Sequence, residues 1–210
     1  PRTWSLQSLE DRGIQPKAIR DFILSMGIKK SNSTIPVESL YILNKKLLED
    51  APRYFFVEQP EKIKISGTPE LTAKIPLHPS KKLGTREYKT SQEFLISKID
   101  YDIMQNGNYR LMHLLNFKSD NVERMKPRTF SFLSSEPDND IKTKFIQWLP
   151  ANVDNINVEI IMPDGSTIKG KGEPKLKDLK LGTTIQLERF GFVKLHKKSK
   201  DKLEFWFTHN

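Results

Sequence analysis

Two planar polar side chains stand out for what they can do to an unpaired nucleobase. Arg53 follows Ala51-Pro52 at the end of a helical stretch, and the proline pins the backbone that carries the guanidinium. Tyr54, Phe55 and Phe56 follow at once, so planar donors stand beside aromatic surface, as splayed bases require for their edges and faces. The same three aromatics also read as a run that plugs a core, with Arg53 a surface charge. Gln186 lies in Ile185-Gln186-Leu187-Glu188-Arg189, where strand alternation buries Ile185 and Leu187 and turns Gln186 and Glu188 to the other face. Its carboxamide offers a donor and an acceptor together, which matches the edge of uracil. Arg189 breaks the alternation unless Gly191 marks a β-bulge, a device that re-aims a side chain.

Other chemistry is absent from the pattern. Gly170-Lys171-Gly172 lacks the spacing and the following Ser/Thr of a phosphate cradle and reads as a turn. Lys64-Ile65-Ser66 sits in a strand-like context. His78, His113, His196 and His209 show no metal-ligand spacing, and His78 in Leu77-His78-Pro79 reads as a turn hydrogen bond. Glu49-Asp50 closes a helix and reads as solvated. No catalytic residue, no metal site and no cofactor of its own is expected for this chain.

Composition points the same way. With 210 residues, 36% hydrophobic and 29% charged, the chain suits one large domain or two to three small ones. It has no cysteine, so disulfides and thiolate metal sites are excluded and a reducing, cytoplasmic home is expected. No apolar run approaches membrane-spanning length. The net charge of +9 is uneven, with ten Lys/Arg against four Asp/Glu in residues 171–202. A basic protein with one acidic segment suits a polyanion partner with a defined footprint.

The elements that must position these residues are legible. Ser5 can cap a helix through Leu6, Leu9 and Arg12 that Gly13 stops. Pro16 opens a second helix carrying Ala18, Ile19, Phe22, Ile23 and Met26, with Gly27 as terminator. A third starts near Pro36 with Leu40, Tyr41, Leu43, Leu47 and Leu48. Beyond Pro52 short strands are expected at 93–99, 109–118, 129–134, 142–149, 157–162, 183–195 and 203–208, with Asp164-Gly165 as a two-residue hairpin turn and 197–202 as a basic turn. The fold class is α+β, mainly β: a helical subdomain followed by two antiparallel barrels.

At these residues the chain resembles the C-terminal portion of class I glutamyl/glutaminyl-tRNA synthetases of the archaeal and eukaryotic type. The resemblance spans essentially all 210 residues. It is carried by Pro1-Arg2-Thr3-Trp4-Ser5-Leu6, Arg12-Gly13-Ile14-Gln15-Pro16, Pro52-Arg53-Tyr54-Phe55-Phe56-Val57 and Pro76-Leu77-His78-Pro79 with Gly84-Thr85-Arg86. Ile146-Gln147-Trp148-Leu149, Glu173-Pro174-Lys175-Leu176-Lys177-Asp178 and Gln186-Leu187-Glu188-Arg189-Phe190-Gly191-Phe192 complete it.

The resemblance implies a stem-contacting helical subdomain at 1–56, a proximal barrel from 57–97 plus 182–210, and a distal barrel at 98–181. It implies that Arg53 and Gln186 together read the middle anticodon base, a uridine, that Arg110 contacts the first base, and that Arg189 belongs to the same anticodon set. Arg12, Arg86, Lys194, Lys197 and Lys198 are the candidates for the tRNA backbone. Met112 stands where glutaminyl relatives carry a second arginine, and the stretch 105–108 is short of their basic cluster, so third-base contacts do not transfer. The opening run and 53–57 look more glutamyl than glutaminyl. The implied parent joins glutamate to tRNA with ATP and Mg2+; its adenylate-forming signatures are not in these residues and are expected upstream, and the abrupt opening at Pro1 suggests an excised piece. The expected partner is tRNA-Glu, with tRNA-Gln as a second, and the expected state a monomer. Two alternatives remain open, a barrel module that docks a multi-synthetase partner and a stand-alone enzyme.

Overall fold

The computed structural model describes residues 3–27, 34–120, 128–137 and 143–210. Local sequence signals set the first helices as expected. The Ser5 hydroxyl accepts the Ser8 N–H at 3.2 Å, opening α1 (Leu6–Arg12), and Gly13 at φ 96° ends it. Pro16 begins α2 (Pro16–Met26), and α3 runs over Glu38–Leu47. Their shared core is Leu9, Ile14, Ala18 and Leu40. The periodicity misjudged one face of α3: Leu47 is exposed, and Asn44 takes the buried place. Residues Pro1, Arg2 and Lys142, which the sequence reading drew on, lie outside the described residues.

The chain divides into two compact units, Pro1–Arg53 with Glu159–Ile168 and Leu179–Asn210, and Tyr54–Val158 with Lys169–Asp178. In the first unit an antiparallel meander follows the helices, with strands Thr184–Leu187, Gly191–Lys198 and Lys202–His209. Ile185, Leu187, Val193, Leu195, Leu203 and Phe205 form its buried face, as period-two alternation requires. The Asp164-Gly165 turn is present with three central residues instead of two, closed by the Met162 N–H on the Ser166 carbonyl at 2.8 Å. Gly165 holds φ 87° there, and the Asp164 carboxylate accepts the Ser166 N–H at 2.8 Å.

In the second unit seven strands run in the order Lys144–Ile146, Gly107–Leu111, Leu115–Asp120, Thr129–Ser134, Pro60–Ser66, Glu93–Ser97, Trp148–Pro150 and form a barrel-like sheet. A separate hairpin pairs Leu71–Pro76 with Thr85–Thr90. Phe94, Ile96, Leu111, Phe117 and Trp148 centre the core, and the Trp148 indole donates to the Met112 carbonyl at 2.9 Å. The mainly β character with leading helices is as expected, but two ladders are parallel, Lys144–Ile146 on Gly107–Leu111 and Pro60–Ser66 on Thr129–Ser134. The short helix α4 (Lys98–Ile103), capped by Ser97, was not legible.

The strand pairings bring the stretch 60–66 to residues on both sides of position 98. Strand 60–66 pairs with 93–97 and 129–134, so its inward Ile63 and Ile65 share the core of residues 98–158. Gly170-Lys171-Gly172 is no turn. It is strand, paired with Glu58, Val57 and Phe56, and a Cβ at Gly170 would stand 2.2 Å from the Val57 carbonyl and 2.6 Å from the Phe56 ring. Glycine is there for close approach of two backbones, not for a bend. Tyr54, Phe55 and Phe56 are buried, which settles them as core and not as a stacking surface.

Candidate nucleic-acid interface

Arg53 and Gln186 are brought together in the first unit by one backbone hydrogen bond. The Gln186 N–H donates to the Pro52 carbonyl at 3.0 Å, so the residue after Pro52 leaves beside the strand that carries Gln186. Pro52 itself has no N–H to offer, and its carbonyl is the natural acceptor at this edge. Both side chains are half-buried and line one cavity of about 360 Å³, whose other walls are Ile42, Lys45, Lys46 and Glu49 from the end of α3, and Phe192. Phe192 is the cross-strand partner of Gln186. The Arg53 Nε is buried and makes no hydrogen bond to the described residues.

The end of α3 is held by a buried polar cluster. The Asn44 carboxamide accepts the Gln15 N–H at 2.7 Å and donates to the Gly13 carbonyl at 3.3 Å. It also lies 2.9 Å from His209 Nε2. His209 Nδ1 lies 2.9 Å from the Asn210 carbonyl, which can only accept. The ring is therefore neutral, with Nδ1 protonated and Nε2 accepting from Asn44. It stacks on Tyr41 at 5.3 Å and tilts against Phe192 at 5.2 Å. Burial pushes the His209 pKa down; the hydrogen bond to the Asn210 carbonyl opposes it, and the Lys45 and Arg12 charges add to the lowering.

The remaining sequence-derived candidates fall elsewhere. Arg12 is buried, donating to the Phe207 and Thr208 carbonyls at 3.2 and 2.9 Å and to the Tyr41 hydroxyl at 3.1 Å. Its guanidinium ties α1 to the last strand. Lys194 donates to the Glu10 carbonyl at 2.7 Å, near the carbonyl end of α1, where a cation is favoured. Arg86, in the second unit, is buried on Glu173 with Nη2 to Oε1 at 2.8 Å and Nη1 to the Pro76 carbonyl at 2.7 Å. The Tyr88 hydroxyl joins Glu173 at 2.8 Å, and burial together with that carboxylate raises the Tyr88 pKa. This is a structural ion pair, which hydrophobic patterning could not show.

Arg110 is also buried in the second unit, donating to Asn116 Oδ1 at 2.9 Å and to the Glu136 carbonyl at 3.2 Å, and burial lowers its pKa. Arg189 is exposed at φ 61° in a turn closed by the Phe190 N–H on the Leu187 carbonyl at 3.0 Å. Strand 184–187 ends there and 191–198 begins, so Arg189 is a turn residue and not part of a bulge. Lys197 and Lys198 are exposed, the first paired with Glu204 at 3.1 Å and the second donating to the Leu179 carbonyl at 3.1 Å. His78 behaves as expected, its Nδ1 accepting the Ser80 and Lys81 N–H groups at 3.2 and 3.0 Å. Ile42, Lys45, Lys46 and Glu49 escaped sequence reasoning, although their helical spacing could have marked them as one face.

A meander that presents a glutamine beside a proline-pinned arginine, over a basic cavity, defines a nucleic-acid-binding module. Two family descriptions match, both reading tRNA synthetases class I (E and Q), anti-codon binding domain, at residues 51–132 and 145–196. The chain belongs to this family. It is 38% identical over 213 residues to the glutamate–tRNA ligase of Methanobrevibacter smithii and 36% over 218 residues to that of Pyrococcus abyssi. The corresponding protein of Methanocaldococcus jannaschii is 33% identical over 213 residues. All or nearly all of the chain is aligned in each case, and it spans 37% of each relative's length.

Among the described residues no group of three or more His, Cys, Asp or Glu could hold a metal ion, and no helix is long and apolar enough to cross a membrane. The glycines at 170 and 172 are spent on strand packing. No step of a reaction using ATP or Mg2+ is placed on this chain.

Proposed function

We propose that this chain grips the anticodon loop of a tRNA and reads its middle base in the Arg53/Gln186 cavity, in the service of an ATP-dependent glutamate–tRNA ligase of the cytoplasm. The carrying observation is that two planar side chains far apart in the sequence line one cavity, with the Arg53 Nε buried and unpaired. Uracil presents carbonyl acceptors flanking one N–H, so Arg53 donates to a carbonyl while Gln186 both donates and accepts. Cytosine would set an amino donor where uracil has a carbonyl, leaving donor against donor and the guanidinium unpaired. Glutamate is favoured over glutamine by the names of the relatives and by Met112, where a second arginine would strengthen a first-base contact.

Binding of tRNA-Glu, and of variants with each middle base, to wild type and Arg53→Ala tests this. The substitution is expected to weaken the preference for uridine by about 1–3 kcal/mol. Equal losses for all four middle bases would remove the base-reading role. Parallel titrations with tRNA-Gln and an unrelated tRNA bound the specificity.

A further inference from the structure

The wall of the cavity opposite Arg53 and Gln186 asks more of a ligand than a base edge supplies. Ile42, Lys45, Lys46 and Glu49 recur at helical spacing over the last turns of α3 and just beyond, so a single face closes the cavity. Three cations stand there against one carboxylate, while hydrogen bonding to a neutral uracil edge uses one. Lys194 donates to the Glu10 carbonyl, whereas Lys45 and Lys46 are exposed at the cavity. Ile42, 57% exposed, adds an apolar surface of the kind a ribose or base face covers.

We infer that Lys45 and Lys46 hold the backbone phosphate of the same nucleotide whose base Arg53 and Gln186 read, so that the cavity takes a whole nucleotide. This rests on the base-reading assignment of the cavity. A lysine ammonium is a compact charge with rotatable donors, suited to phosphate and indifferent to base identity. A phosphate brought to the C-terminal end of α3 would otherwise meet the negative pole of the helix, which the two lysines offset. Had they served only that pole, they would stabilise the helix and do nothing for RNA.

The test uses the intact protein and anticodon stem-loop RNAs that carry either a normal phosphate or a neutral methylphosphonate at the middle nucleotide. For wild type the methylphosphonate is expected to lower affinity by up to about fivefold, scaled from exposed ion pairs. In Lys45→Gln/Lys46→Gln the same change should cost nothing further, and the salt slope should fall by about 0.7 for the single phosphate lost. Equal methylphosphonate losses in wild type and variant, or an unchanged salt slope, overturn the phosphate clamp. Arg53→Ala measured on the same RNAs made with each middle base separates the two assignments. A clamp that persists while Arg53→Ala is indifferent to the base would sink only the base reading.

Discussion

Glu173→Ala should unfold the second unit far more readily than any surface change, and the buried ion pair sets the size. Glu173 accepts from two Arg86 nitrogens, the Tyr88 hydroxyl and the Phe55 N–H, and both charged side chains are almost wholly buried. Removing the carboxylate leaves Arg86 with the Ile75 and Pro76 carbonyls but no counter-charge, and takes the acceptor from the Tyr88 hydroxyl proton and the Phe55 N–H. Breaking one side of such a pair costs about 3–5 kcal/mol. The Arg86 stacking on Tyr54 and Phe55, at 5.5 and 5.3 Å, does not offset a loss of that size. Urea titration of a variant in which Trp4 and Trp206 are replaced by Phe leaves Trp148, inside the same unit's core, as reporter. Removing both charges together, as Arg86→Met/Glu173→Leu, should cost much less than the two single losses added, because no charge is then left alone in the core. A Glu173→Ala cost below about 1 kcal/mol, or strict additivity of the two substitutions, would refute the reasoning.

Three further outcomes are expected. The His209 pKa is depressed in the folded chain, so the unfolded chain takes up the proton first. Stability of the first unit is then fully present above the ordinary histidine value of about 6.5 and declines as pH falls through it. His209→Gln should flatten the dependence of the urea midpoint between pH 7.5 and 5.5. Gly170→Ala, with its methyl against a backbone carbonyl, should cost about 1–3 kcal/mol by denaturant titration, whereas Gly27→Ala meets no atom within 4 Å and bears only the strain of its φ of 64°. Lys197→Ala and Lys198→Ala should weaken binding to cognate and unrelated tRNAs alike and lower the salt slope by about 0.7–0.9 per phosphate contact, read by titration across a salt series.

Properties that depend on near neighbours in the chain were legible from it. Ser5 and Gly13 bound α1, Pro16 opens α2, and alternation around Gln186 buries Ile185 and Leu187, because caps and side-chain periods act within a few residues. The motif order around Arg53 and Gln186 also indicated the family, since each piece reflects a short local geometry. What the chain could not reveal is where a charge finds its partner. The resemblance made Arg12, Arg86 and Arg110 candidates for RNA contacts, but it could not show that each is buried on carbonyls, an amide or a carboxylate. For Arg12 and Arg86 those partners lie many residues away. The same holds for Gly170, whose need for a bare α-carbon comes from Val57 and Phe56, and for α3, whose C-terminal face acquires meaning only where it closes the cavity. Burial and long-range pairing are properties of the folded chain as a whole, so only the tertiary structure decided which of these cations are buried on partners inside the protein and which stand exposed.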